Sequence, residues 1–137
     1  GFGEEVKRRI LIGNYVLSSG HSHEFYESAR VVQNMIRQEF LKAFEQFDVL
    51  FLPVNSIPAF PLGKFEDNSF EMDLQDYFTA PANLAGIPAL SVPCGFVNEK
   101  LPIGFQLFGP DLSEGLLFQT AYAYECNTAW HTMHPSL

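Results

Sequence analysis

The order of hydropathy patterns along the chain predicts a mixed α/β fold, a β-sheet flanked by helices. Three observations carry the prediction. Apolar residues recur at helical spacing in two N-terminal stretches and one C-terminal stretch. Three short apolar runs bounded by Pro or Gly read as strands. Hydrophobic residues make up 47% of the chain and charged residues 18%, a globular composition. The 137 residues suit one domain-sized unit, and no internal repeat or linker divides them. A chain of this size can bury about two-thirds of its unfolded surface.

The elements follow in order. Residues 4–18, EEVKRRILIGNYVLS, place Val6, Ile10, Leu11 and Leu17 at helical spacing, interrupted by Gly13. The acidic start suits a helix N-terminus, and Gly20 is a natural C-terminal stop. A second helix is predicted from about His23 to Phe47, with Ser22 as N-cap and a stripe of Phe25, Ala29, Val32, Ile36, Phe40, Ala43, Phe44 and Phe47. DVLFLP, residues 48–53, reads as a buried strand ended by Pro. Residues 54–72 are rich in Pro, Gly, Asn and acid and read as a long irregular loop. Residues 74–86 read as a short helix with Pro81 near its start and Gly86 past its end. PALSVPCGF (88–96) and IGFQLFG (103–109) read as two strands joined in a hairpin by NEKLP. Residues 113–130 read as a last helix capped by Ser113, its Leu116, Leu117, Ala121 and Tyr124 turned inward.

The composition excludes some function classes. A net charge of −8 argues against a general nucleic-acid surface, which needs clustered Lys and Arg to neutralise phosphates. No apolar run approaches the roughly 20 residues that cross a bilayer. Two distant cysteines, Cys94 and Cys126, fit free thiols in a reducing compartment. The chain starts GFGEEVKRRI, without an initiator Met and with an amphipathic pattern already running. It reads as a segment of a longer polypeptide.

LSSGHSH, residues 17–23, invites comparison with a serine nucleophile or a metal site. A catalytic serine needs a base in reach and donors for the oxyanion. His21 and His23 are two apart, so on a helix they point to different faces. Turn chemistry explains every residue, with Ser18 and Ser19 in a last turn, Gly20 as stop and Ser22 as cap. In VKRRI, Arg8 and Arg9 point about 100° apart, so at most one faces any given pocket. An arginine there can grip a carboxylate bidentately. Asp73 and Asp76 are three apart, either helix-capping acids or carboxylates for a cation. His131 and His134 lack further metal ligands nearby and read as tail residues. Cys94 has no adjacent base and reads as an inert thiol.

Longer stretches go further. GFGEEVKRRILIGNYVLSSG, then DYFTAPANLAGIPALSVPCGF with LPIGFQLFGP, and finally LLFQTAYAYE, resemble the C-terminal part of the amidase signature family. NLAGIPALSVPCG followed by LPIGFQL carries the family resemblance. GEEVKRRI with LSSG resembles its glutamyl-tRNA(Gln)/aspartyl-tRNA(Asn) amidotransferase A-subunit branch. The fold implied is the C-terminal portion of the amidase signature fold, spanning residues 1–137. The function implied is release of ammonia from glutamine for conversion of Glu-tRNA(Gln) to Gln-tRNA(Gln). The alternatives are a fragment of another amidase-family hydrolase of small amides, and a non-catalytic fragment.

The family's Ser-Ser-Lys residues belong to a Gly/Ser-rich segment that is not in this chain. Lys7, Lys42, Lys64 and Lys100 do not match its catalytic lysine. The isolated fragment is therefore expected to be inactive. The resemblance implies a substrate-recognition pair instead: Arg9 for the α-carboxylate of glutamine and Asp76 for its α-amine. A site that removes both charges of a free amino acid from water must pair each of them. It further implies B and C partner subunits in a heterotrimer, tRNA met through the complex, and ATP with Mg at the partner subunit. The setting it implies is bacterial cytoplasm or an organelle, with no membrane. The chain departs from the family's usual residues at His21, Ser22 and Val54.

Overall fold

The structure, a computed structural model, describes residues 1–18, 22–65 and 69–135. Helix α1 spans Glu4–Leu17 and passes through Gly13 without a break. A π-helical turn, Ser22–Glu27, runs directly into α2, Ser28–Phe44. Ser22 thus opens the helical turn instead of standing before it as a cap. Ser19, Gly20 and His21 lie outside the described residues, and with them the predicted stop.

Strand β1, Leu50–Pro53, is followed by irregular chain. The predicted loop 54–72 is interrupted at its end by α3, Ser69–Asp73, and residues 66–68 lie outside the described residues. The predicted helix 74–86 is broken into a 3-10 turn, Leu74–Asp76, and α4, Ala80–Ala85. Pro81 explains the break, because it has no N–H to carry the helical ladder back across residues 77–79. Gly86 ends α4 as expected: it is left-handed, at φ 66°, and its N–H donates to Ala82 O.

Strands β2, Ala89–Val97, and β3, Leu101–Phe108, form the expected hairpin. Asn98 and Glu99 both have positive φ, which matches the right-handed twist of the strands they join. The sheet order is β1-β3-β2, antiparallel throughout, with a bulge between Pro93 and Gly95. The last helix, α5, spans Glu114–Cys126 and stops short of the predicted residue 130. Asn127 and Thr128 side chains donate to Ala123 O and Tyr124 O and so end the ladder. Ser113 holds the N-cap position of α5, but its hydroxyl makes no cap bond. That residue sits at φ −98°, ψ 21°, outside the extended region from which a cap side chain reaches forward.

Central strand β3 organises two cores by its alternation. Phe105 and Leu107 pack with Val92, Leu117 and Ala121 under α5. Phe108 packs with Ala82, Ala85 and Ile87 on the other face, where Ile36, Phe40 and Phe44 of α2 close over it. Phe40 and Phe108 meet edge to face at 5.7 Å. The apolar stripe of α2 enters this core through its C-terminal half; Phe25 and Val32 stay exposed, Phe25 beside the Tyr15 ring of α1. Helix α1 buries no residue at all. Among the described residues, no helix is long and apolar enough to cross a membrane.

Candidate functional site

The charged end of α1 builds one side of the candidate site. Glu4 and Glu5 lie in the first turn, and Lys7, Arg8 and Arg9 fold back onto them across one helical turn. Glu5 takes both arginines. Arg8 reaches it bidentately at 2.7 and 2.8 Å, and Arg9 Nε donates to the same carboxylate at 2.6 Å. Hydrogen bonds from Arg8, then from Arg9, lower the Glu5 pKa to about 2. The same bonds raise the pKa of both guanidinium groups, and the Asp73 charge adds to the rise at both.

The two arginines diverge from there, as the 100° helical step requires. Arg9 Nη2 donates to Asp73 Oδ1 at 2.9 Å, across 64 residues of chain. Asp73 makes no cap bond to the 3-10 turn that follows it. It is an ion-pair partner, which the spacing of Asp73 and Asp76 alone did not reveal. Sequence reasoning had linked Arg9 only to Asp76. Asp76 closes the 3-10 turn one step further along, exposed, beside a cavity of about 340 Å3 that it shares with Thr79, Ala80, Asn83 and Leu84. Its backbone carbonyl accepts from Thr79 N at 3.1 Å. Among the described residues, its carboxylate has no hydrogen-bond or ion-pair partner.

Behind this segment lies Gln106, the buried polar side chain among the described residues. Its Nε2 donates to Phe78 O at 2.7 Å and to Pro53 O at 2.8 Å. A second cavity, about 300 Å3, opens beside Pro53 between residues 53–59, Ser91 and Gly104. Gln106 was missed in the sequence, although one polar residue inside the apolar run IGFQLFG was a usable signal. Arg37 is a further missed residue. It donates to Ala85 O at 2.6 Å and pairs with Asp111, tying α2 to the end of α4 and to the chain after β3.

Other candidates are not brought together. Among the described residues, no group of three or more His, Cys, Asp or Glu side chains could hold a metal ion. His131 lies in a 3-10 turn, Trp130–Thr132, and His134 lines a cavity with Phe96 and Trp130. Cys94 and Cys126 are free thiols, and partial burial raises the Cys94 pKa. A protonated thiol is a poor nucleophile.

The chain is similar to known proteins along most of its length. A family model described as Amidase matches residues 1–118. The glutamyl-tRNA(Gln) amidotransferase A subunit of Cyanothece sp. is 52% identical over 137 residues, which is all of this chain and 28% of that protein. The crystal structure of the corresponding A subunit from Thermotoga maritima superposes with a TM-score of 0.76 at 40% identity, covering 98% of this chain and 30% of that one. The crystal structure of an amidase superposes with a TM-score of 0.74 at 27% identity, covering 94% of this chain and 30% of that one. The chain thus spans less than a third of the length of these relatives.

Proposed function

The chain belongs to the amidase family, and from that premise we propose that it is the C-terminal part of a glutamine-hydrolysing amidotransferase A subunit. The observation that carries the reading is the 52% identity to such a protein along the whole of this chain. In the full-length protein the reaction releases ammonia from glutamine. A partner subunit, using ATP and Mg, consumes that ammonia to convert Glu-tRNA(Gln) to Gln-tRNA(Gln). The B and C subunits complete the complex, and tRNA meets this chain through them. The setting is the bacterial cytoplasm or an organelle.

This segment contributes recognition of the amino-acid end of glutamine; the reacting Ser-Ser-Lys groups belong to the part of the protein outside it. Arg9 takes the α-carboxylate. Its Nε and Nη2 are held by Glu5 and Asp73, which leaves Nη1 and fixes the plane of the fork. Asp76 takes the α-ammonium with a carboxylate that no described residue occupies. The paired acids divide the work: Asp73 orients the arginine, and Asp76 faces the ligand. A simple amide has neither charge, so this pair separates glutamine from other amide substrates.

In the full-length protein within its complex, Arg9→Ala is expected to raise the KM for glutamine by about a hundredfold, as loss of a charged hydrogen-bonded contact does. Activity with ammonium as nitrogen donor is expected to persist. An unchanged glutamine KM would refute the role. Hydrolysis of simple aryl amides by the full-length protein without its partners, and without glutamine preference, would favour an ordinary amidase.

A further inference from the structure

We infer that Gln106 is a positioning residue for the ligand-facing Asp76, acting through the Phe78 carbonyl. The inference rests on the glutamine reading above and adds a residue that touches no substrate. Three observations lead to it.

Gln106 is 4% exposed in the middle of the central strand. Strand alternation sends Phe105 and Leu107 under α5, so position 106 faces the opposite layer, beside Phe108. A polar side chain there is costly to bury unless its donors are used. Both are used, and by carbonyls 25 residues apart in the chain: Pro53 at 2.8 Å and Phe78 at 2.7 Å. One planar amide therefore fixes the spacing between two stretches. The first continues into the cavity-lining residues 54–59. The second carries Asp76 two residues upstream.

Phe78 and Thr79 are half-buried, but residues 77–79 lack a regular backbone ladder. They form neither α-helix nor strand, and Pro81 denies them a helical ladder. Local bonds, such as Thr79 N to Asp76 O, shape the turn but do not anchor it to the sheet. The Gln106–Phe78 bond supplies that anchor. Of the side chains that fit the space, an amide alone donates twice from one nitrogen. A carboxylate of the same size would set oxygen against two carbonyl oxygens, and a methionine would donate nothing.

The test uses the full-length protein in its complex. Gln106→Met is expected to raise the glutamine KM about tenfold, because small misplacement of a binding group is enough for such a loss. At saturating glutamine, kcat should stay within about twofold, and so should activity with ammonium as donor. Gln106→Met added to Asp76→Asn should change the KM by less than about twofold, since the group to be positioned is already disabled. An additive effect on top of Asp76→Asn would overturn the inference, as would parallel loss of glutamine-driven and ammonium-driven activity. So would an unchanged KM in Gln106→Met where Asp76→Asn raises it. An Asp76→Asn variant with wild-type KM would instead overturn the glutamine reading itself, and this inference with it.

Discussion

Gly104→Ala is expected to destabilise the β2–β3 hairpin without any change in polarity or charge. Gly104 lies opposite Pro93, next to the bulge between Pro93 and Gly95. A Cβ at position 104 would lie 2.9 Å from the backbone oxygen of Val92, and 3.6 Å from both Ser91 Oγ and Val54 Cγ2. The first contact is with backbone in a paired strand, which cannot swing aside as a side chain does. Overpacking of this kind costs about 1–3 kcal/mol. A value near ~2 kcal/mol corresponds to roughly thirtyfold faster opening of the ladder. The assay is amide hydrogen exchange on the full-length protein, read at β2 and β3. Gly86→Ala is the control, because it tests a different cause. There the nearest atom to a new Cβ is Arg37 Nη1 at 3.7 Å, so space is ample, but φ is +66°. The loss at position 86 is conformational, about 1–2 kcal/mol, and Asn should recover part of it. No residue larger than glycine should recover position 104. Exchange rates within about threefold of wild type in Gly104→Ala would refute the steric argument.

Two further predictions concern titratable groups. The Glu5 carboxylate holds its proton less tightly in the folded chain, at a pKa of about 2 against an ordinary 4.5. The stabilisation it gives α1 is therefore complete above about pH 4.5 and fades as pH falls towards 2. Melting curves of wild type and Glu5→Gln should differ at pH 6 and converge near pH 2; an equal difference at both pH values would contradict the pairing. For the thiols, exposed Cys126 should react with a water-soluble disulfide reagent before Cys94, whose partial burial raises its pKa. Mass-spectrometric mapping of the first-labelled site checks this, and Cys94 modified first would count against it.

Much of the fold was legible because strands and helices leave periodic apolar signals. The hairpin, the Gly86 stop and the inward face of α5 all lie where the pattern placed them. The misreadings have local causes. Residues 74–86 read as one short helix, but Pro81 removes one ladder bond and splits the segment. Ser113 has the residue type of a cap without the backbone conformation of one. The N-terminal half of the stripe that runs into α2 stays largely exposed, although Phe25 meets Tyr15 of α1 at 6.3 Å between ring centroids. At the candidate site, Arg8 and Arg9 share the Glu5 carboxylate, and Arg9 also reaches Asp73. Arg9 meets Asp73 across 64 residues of chain, and no spacing rule encodes that. The contact between Gln106 and Phe78 spans 28 residues and two elements, so only the folded chain reveals it.

The two halves of the proposed recognition pair are held by different physics. Arg9 stands on a helix that buries nothing, and its partners Glu5 and Asp73 are themselves more than half exposed. Water screens such pairs, so they orient the guanidinium while adding little stability. Asp76 hangs from a turn pinned to a buried side chain of the central strand. The guanidinium plane is thus set by solvated bonds, which salt weakens. The turn that carries Asp76 is instead set by a buried bond, while its carboxylate stays exposed. That asymmetry follows from the sheet: the alternation that builds both cores also puts position 106 behind the turn.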